Sequence, residues 1–197
     1  MKLETSRLLL RNFTPADAET LYAIKYDKMV QKYIPDFLER DITKDKVCAY
    51  IDTFVTTVGH DDIALWRLYA IELKETGEVV GSLSFGKSET LHEYELGWQV
   101  VESNTKKGYA SEAAAAFADW FCTTYTVDYL IVIMDIDNPA SYKTALKSGF
   151  KLFEKRMVYD YRWGRYSGDY YYFRRYSPAS KTKYKFYGDV AYTGRNA

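Results

Sequence analysis

The chain has 197 residues, 47% hydrophobic and 27% charged, with 27 basic residues against 27 acidic ones and no net charge. That composition fits a soluble globular protein and excludes the broad basic field that general nucleic-acid binding requires. Two distant cysteines, Cys48 and Cys122, argue against a disulfide framework or zinc site and fit a reducing cytoplasm; the charged start MKLETSRLLLRNF has no signal-peptide core, and the longest apolar run, LIVIM, is too short to cross a bilayer.

Residues 6–12, SRLLLRN, read as a first strand. Thr14 as N-cap and Pro15 as first helical residue then open a helix through FTPADAETLYAIKYD. A second helix is expected from about Thr43 to Val58, where Val47, Tyr50, Ile51, Phe54 and Val58 recur at helical spacing. From Trp66 the period changes. WRLYAIEL, the turn KETGE with Gly77, and VVGSLSF read as a β-hairpin, and YELGWQVV at 94–101 as a further strand.

Next comes ESNTKKGYASEAAAAFADWF, residues 102–121. Ala114, Phe117, Ala118, Phe121 and Tyr125 form one apolar helical face, and the alanines keep the helix thin enough to lie close to a sheet. DYLIVIMDI is the apolar, β-branched run of a central strand buried on both faces. Asn138 and Pro139 read as N-cap and first residue of a short helix, with Lys147 in its last turn and Gly149 just past its end. Two strands follow, FKLFEKRMVYDYRW and DYYYFRRY, joined by GRYSG. The polar segment after residue 176 lacks a period, which suggests a single domain over 1–176 and a loosely ordered extension over 177–197. The strand–helix–strand unit 94–136 predicts one parallel strand pair.

The turn before the alanine-rich helix is the most informative stretch. A helix N-terminus offers unpaired amides and partial positive charge to an anion. Gly108 lets the backbone approach, and Lys106 and Lys107 add charge. A solvated loop is the plain alternative. The spacing is neither GxxxxGK[ST] nor GxGxxG, so neither a P-loop nor a dinucleotide fingerprint applies.

The element order and the segment TKKGYA resemble the GNAT acyltransferases, whose acetyl-CoA loop follows Q/R-x-x-G-x-G/A. Thr105 departs from the first position, while Gly108 and Ala110 match. ETSRLLLRNFTPADAETLY, YELGW and NPASYKTALKSGF resemble, in the right order, segments of the RimJ/RimL-type branch. The resemblance runs from about residue 4 to 176. It implies the GNAT acyl-CoA N-acyltransferase fold, a mixed α/β architecture with a central, mostly antiparallel sheet, one parallel strand pair and flanking helices.

It also implies a cytoplasmic N-acetyltransferase that moves an acetyl group from acetyl-CoA to a primary amine by direct attack in a ternary complex. The acceptor would be a protein N-terminus or a small molecule, and the enzyme a monomer or homodimer, without nucleic acid, membrane or metal. In the resembling enzymes the amides around Lys106, Lys107, Gly108, Tyr109, Ala110 and Ser111 wrap the CoA pyrophosphate. Those near Gln99, Val100 and Val101 polarise the thioester carbonyl, and the residue matching Asn138 bonds the pantetheine arm. Ser111 and Asn138 also read simply as helix caps.

The serine matching Ser141 is proposed in that branch to protonate the departing thiolate. Where other GNAT enzymes carry a tyrosine for this task, Ala145 stands here. Glu95 reads either as a solvent-facing strand residue or as a carboxylate that takes the ammonium proton through a water. His60 and His92 have no second ligand at metal-binding spacing. An acyl-CoA sensor without turnover, or a protein–protein module, would keep the same fold.

Overall fold

The computed structural model describes residues 2–34, 43–57, 63–88, 91–160 and 165–182. Its strands are β1 (Lys2–Glu4), β2 (Leu8–Asn12), β3 (Arg67–Leu73), β4 (Val79–Lys87), β5 (Tyr94–Val100), β6 (Tyr129–Asp135), β7 (Lys151–Asp160) and β8 (Arg165–Tyr176). Its helices are α1 (Ala18–Tyr26), α2 (Lys28–Tyr33), α3 (Lys44–Thr57), α4 (Tyr109–Thr124) and α5 (Pro139–Lys147). The eight strands form one sheet in the order β1-β2-β3-β4-β5-β6-β8-β7. All neighbours pair antiparallel except β5 and β6, which pair in parallel. This is the expected mixed architecture with its one parallel pair.

Several local details differ from the sequence reading. The short edge strand β1 adds an eighth strand, because the chain reverses at Thr5–Arg7 and Lys2 pairs with Arg11. Pro15 opens a single 3₁₀ turn (Pro15–Asp17), and the α-helix proper starts at Ala18. The Asp17 carboxylate is turned back, accepting from the Thr14 amide at 2.7 Å and from Arg11 at 2.7 Å. The helical segment also breaks at Asp27. The carboxylate of Asp27 caps α2, accepting from the amides of Met29 at 2.9 Å and Val30 at 3.3 Å. Its other oxygen accepts from the Glu102 amide at 3.0 Å, which ties α2 to the segment after β5. Part of GRYSG lies within β8, which begins at Arg165.

Strand alternation divides the buried residues between two layers. On one face α4 lays Ala114, Phe117, Ala118 and Phe121 against Tyr69, Phe85, Leu96 and Val132. All four α4 residues are fully buried. On the other face α1 and α3 pack Leu21, Ile24, Val47 and Ile51 over Leu68 and Ala70. α5 ends in a left-handed Gly149 (φ 81°), whose amide donates to Leu146 at 3.1 Å while that of Phe150 donates to Ala145 at 3.0 Å. These two bonds satisfy the last carbonyls of the helix and return the chain into β7.

Residues 177–182 run back along the end of α4 and the start of β6. Ser177 donates to the Cys122 carbonyl at 3.2 Å, and Ser180 and Thr182 bond the Asp128 carboxylate at 2.9 and 3.0 Å. No helix among the described residues is long and apolar enough to cross a membrane.

Candidate functional site

β5 and β6 are each seven residues long, yet only Glu95 and Ile131 are matched across them. Beyond that pair the strands diverge, and two cavities open along the gap. One, of about 380 Å³, lies on the α4 side, walled by the end of β5, the turn before α4, α2 and α5. The other, of about 410 Å³, lies toward α1, over β4, β5 and β6. Tyr33, Ile34, Trp98, Gln99, Asn138 and Ser141 line both.

The first cavity is built mainly from backbone and small residues. Gly108 is the N-cap of α4 at φ 85°, a conformation that side chains other than glycine's rarely adopt. Lys106 precedes it at φ 63°. The first intrahelical bond runs from the Glu112 amide to the Gly108 carbonyl at 3.0 Å. The amides of Tyr109, Ala110 and Ser111 therefore stand in the first turn without a helical acceptor, at the positive end of a helix 16 residues long. All three residues line the cavity, with Thr105, Lys106 and Gly108. The Ser111 hydroxyl donates to the Gly108 carbonyl at 2.9 Å, so that side chain tightens the turn and leaves its amide to the cavity.

Lys107 departs from expectation. Its ammonium donates to Asn104 Oδ1 at 2.7 Å, and it is not among the lining residues. The cationic lining comes instead from Lys106, Lys143 and Lys147. The two lysines on α5 were missed, because from sequence Lys147 read only as a complement to the helix dipole and Lys143 carried no signal.

Gln99 and Val100 line this cavity, and Val101 does not. The Val101 amide donates across to Val80 at 3.3 Å. In an antiparallel ladder these groups alternate, which turns the Val100 amide toward the edge left open by β6. Of the three expected polarising amides, that of Val100 faces the open edge, and that of Val101 is consumed by the sheet.

Asn138 and Ser141 sit where the cavities meet. The Asn138 side chain accepts from the Ser141 amide at 3.0 Å, a helix N-cap, and the residue is buried. Among the described residues the Ser141 hydroxyl has no hydrogen-bond partner. Ala145 lies fully buried in the core, with no bearing on the cavity. Tyr142, next to Ser141, packs its ring edgewise on Tyr171 and Phe173.

The second cavity is built from side chains that come from distant segments. Lys25, Trp66, Ser84, Glu95, Asp135 and Tyr170 all contribute to it. Glu95 is thus a cavity residue and not a solvent-facing one. Desolvation pushes its carboxyl up to about 7, a hydrogen bond from Ser88 partly offsets this, and the Glu93 carboxylate adds a smaller upward push. Trp66 reaches its place because Gly86 opposite Glu95 has no side chain: a Cβ there would stand 2.7 Å from the indole. Glu93 is held by the hydroxyls of Tyr129 and Tyr172, each at 2.6 Å, and by Arg174 at 3.3 Å. Arg174 lies 3.9 Å from the Phe153 ring centroid and 4.2 Å from that of Tyr129. Burial and the Glu93 contact raise the Tyr129 hydroxyl to about 12.

Sequence reasoning did not single out Tyr33, Lys25 or Trp66, and it read the Tyr170–Tyr172 cluster as a strand with one face in the core. Trp98 stood in the quoted YELGW without a role. His92 is exposed at φ 57°, and His60 lies outside the described residues. Among the described residues no group of three or more His, Cys, Asp and Glu is placed to hold a metal ion.

Comparison with known proteins points the same way as the geometry. The acetyltransferase (GNAT) domain family matches residues 7–151. An uncharacterised N-acetyltransferase of Bacillus subtilis, YnaD, is 29% identical over 153 residues, covering 77% of this chain and 83% of that protein. The crystal structure of a GNAT-family acetyltransferase from Bacillus anthracis superposes with a TM-score of 0.72 at 26% identity, over 90% of this chain and 99% of the other. RimL, a ribosomal L7/L12 α-N-protein acetyltransferase solved with coenzyme A, shares the fold with a TM-score of 0.73 at 19% identity, over 91% of this chain and all of the other.

Proposed function

Since this chain belongs to the GNAT acetyltransferases and is an acetyl-CoA-dependent N-acetyltransferase, we propose that it acetylates a primary amine held in the second cavity, with Glu95 as base and Ser141 as acid. The observation that carries this reading is the position of Ser141, which lines both cavities at their junction.

The residues of the first cavity suit an acyl-CoA. The free amides at the start of α4, the left-handed Gly108 and the lysines Lys106, Lys143 and Lys147 match a polyphosphate. Val100 and Asn138 lie along the path of a narrower, amide-bearing arm. When bound, acetyl-CoA supplies an activated acyl group whose carbonyl carbon is open to attack by an amine.

A neutral amine is the nucleophile, so an acceptor ammonium must first lose a proton. An α-amine, with a pKa of about 8, needs less help than a lysine at about 10.4. Glu95 holds its carboxyl at about 7, close to the range in which a base is both ionised and effective. It takes the proton directly or through a water. The Val100 amide donates to the carbonyl oxygen as negative charge develops there. Ser141 then gives its hydroxyl proton to the leaving sulfur and regains one from solvent or the acceptor.

The same reading takes residues 1–176 as one catalytic unit with 177–197 as an extension, acting in the cytoplasm, where the free thiols Cys48 and Cys122 would stay reduced. The acceptor is a protein N-terminus or a small-molecule amine.

CoA release measured over peptides with varied N-terminal residues and over small amines is the direct test. Turnover with at least one primary amine supports the reading. Tight CoA binding without turnover on any amine would make the protein an acyl-CoA sensor and sink it.

A further inference from the structure

The N-terminal reversal between β1 and β2 has an unexpected partner, the outer side of the cofactor turn. Glu112, in the first turn of α4, accepts on Oε1 from the Thr5 hydroxyl at 2.6 Å, the Ser6 hydroxyl at 3.0 Å and the Arg7 amide at 3.0 Å. Its Oε2 accepts from Arg7 Nε at 2.7 Å and faces Arg7 NH2 at 2.7 Å. The third guanidinium nitrogen, NH1, donates to the Lys107 carbonyl at 3.0 Å. The guanidinium carbon stands 4.8 Å from the Tyr109 ring centroid, and NH2 lies 3.4 Å from where a Cβ on Gly108 would be. One planar side chain therefore touches Lys107, Tyr109 and Glu112 and lies beside Gly108.

A carboxylate in the first turn of a helix is favourable on its own account, because it meets the positive helix end. Here that same helix end is the place for a diphosphate, and a bare carboxylate beside it would repel the ligand. Thr5, Ser6 and Arg7 remove the conflict. They saturate both oxygens and bring one positive charge, while the Lys107 bond fixes the turn from behind. Desolvation works against ionisation of Glu112, yet the hydrogen bonds from Thr5, Arg7 and Ser6 hold its carboxyl at about 2. The negative charge is therefore present at every working pH and needs its counter-charge.

We propose that Arg7, with Thr5 and Ser6, is a positioning residue for the acyl-CoA: it neutralises Glu112 and fixes the turn 105–108 from outside the cavity, without touching the ligand. The inference rests on the reading that this turn holds the pyrophosphate. Lysine is no substitute, because a point charge cannot bond Glu112 and the Lys107 carbonyl together as a planar fork does.

The test is the Kd for CoA of the full chain, measured well below each variant's Tm at low and at high salt. Arg7→Met is expected to weaken CoA about 10-fold at low salt and less at high salt, as screening weakens the unmasked repulsion. Arg7→Met combined with Glu112→Gln is expected to recover most of that loss, although it removes one more native contact. A merely structural role predicts the opposite order, with the double variant the worse binder. Arg7→Lys is expected to weaken CoA several-fold, and it keeps the proposal testable if Arg7→Met does not fold. A wild-type Kd in the folded Arg7→Met or Arg7→Lys variant, or a double variant no better than the single one, overturns the proposal. Gly108→Asp separates the two readings. If it too binds CoA normally, the turn is not the pyrophosphate site. If it fails while Arg7→Met binds normally, the turn stands and the clamp falls.

Discussion

The two cavities meet at Ser141, but they are made of different material. The heart of the first cavity, proposed for the cofactor, is one contiguous turn and helix start that offers backbone amides, a left-handed glycine and a helix dipole, with β5, α2 and α5 as its other walls. The second cavity, proposed for the acceptor, is built from side chains on α1, α2, α5, the chain before β3, and strands β3, β4, β5, β6 and β8. A backbone site tolerates side-chain change and fails only when its geometry is broken. A side-chain site depends on each residue, and its chemistry shifts with every substitution. With the cavities occupied as proposed, cofactor choice is the part that withstands side-chain change and acceptor choice the part that varies.

The largest expected effect breaks the backbone side. Gly108→Asp adds a side chain at a left-handed position and sets a carboxylate where the proposed site would hold phosphate. The rise in Tm that acetyl-CoA gives the parent should vanish. Retention of that shift would remove the turn from the cofactor site.

Glu95→Gln tests the opposite side. Loss of a general base typically costs about 10²–10⁴ in rate, and we expect a loss in that range near pH 8 with the acetyl-CoA Kd unchanged. In the parent, kcat/KM should fall as pH drops through about 7, the value to which Glu95 is raised, and Glu95→Gln should flatten that limb. Stability carries the opposite sign. A carboxyl raised from 4.5 to about 7 binds more protons folded than unfolded, so its contribution falls as pH rises through that window. Glu95→Gln should lose less stability than the parent between pH 5 and 8 in urea titrations. Parallel curves would mean that Glu95 is not desolvated.

Ser141→Ala addresses the junction. A thiol has a pKa of about 8.5 and leaves without strict need of a proton, so the loss in kcat should be near 10², the low end for an acid. The helix should be unharmed, since Asn138 accepts from the Ser141 amide and not from its hydroxyl. Simultaneous loss of CoA binding would reassign Ser141 as a ligand contact.

Asn138→Ala is the mildest change. Loss of an N-cap costs about 1 kcal/mol, which a denaturation curve resolves. If Asn138 also bonds the cofactor, the Kd for CoA should rise several-fold as well. A pure stability change would leave it only the capping role.

These differences follow what a linear chain can display. TKKGYASEAAAAF carries the turn, its glycine and the start of the apolar face of α4 in thirteen consecutive residues, so the turn and the helix that follows it were readable there. NPASYKTALKSGF likewise carries its own N-cap, first-turn proline and terminal glycine, and all three are found in those roles. Lys107 shows the limit of local reading. Its neighbourhood suggested a ligand charge, but Asn104, three residues earlier, takes its ammonium. Val101 was misplaced for a related reason: only the register with β4 decides which amides of β5 are free.

What the sequence determined by itself is the set of elements with strong local signals, the mixed sheet with one parallel pair and the phosphate-suited turn. Periodicity, capping and glycine conformation act within a few residues, so they survive projection onto one dimension. Tertiary structure decided what depends on contacts between distant segments. It put Glu95 in a cavity and not in solvent, because β5 and β6 part after a single residue pair. It brought Lys143 and Lys147 to the first cavity and Lys25, Trp66 and Tyr170 to the second. It also folded Thr5–Arg7 against a helix more than one hundred residues away, where the Arg7 guanidinium meets the Glu112 carboxylate beside the turn before α4. Burial and Coulomb interaction depend on distance in space, and a sequence records distance only along the chain.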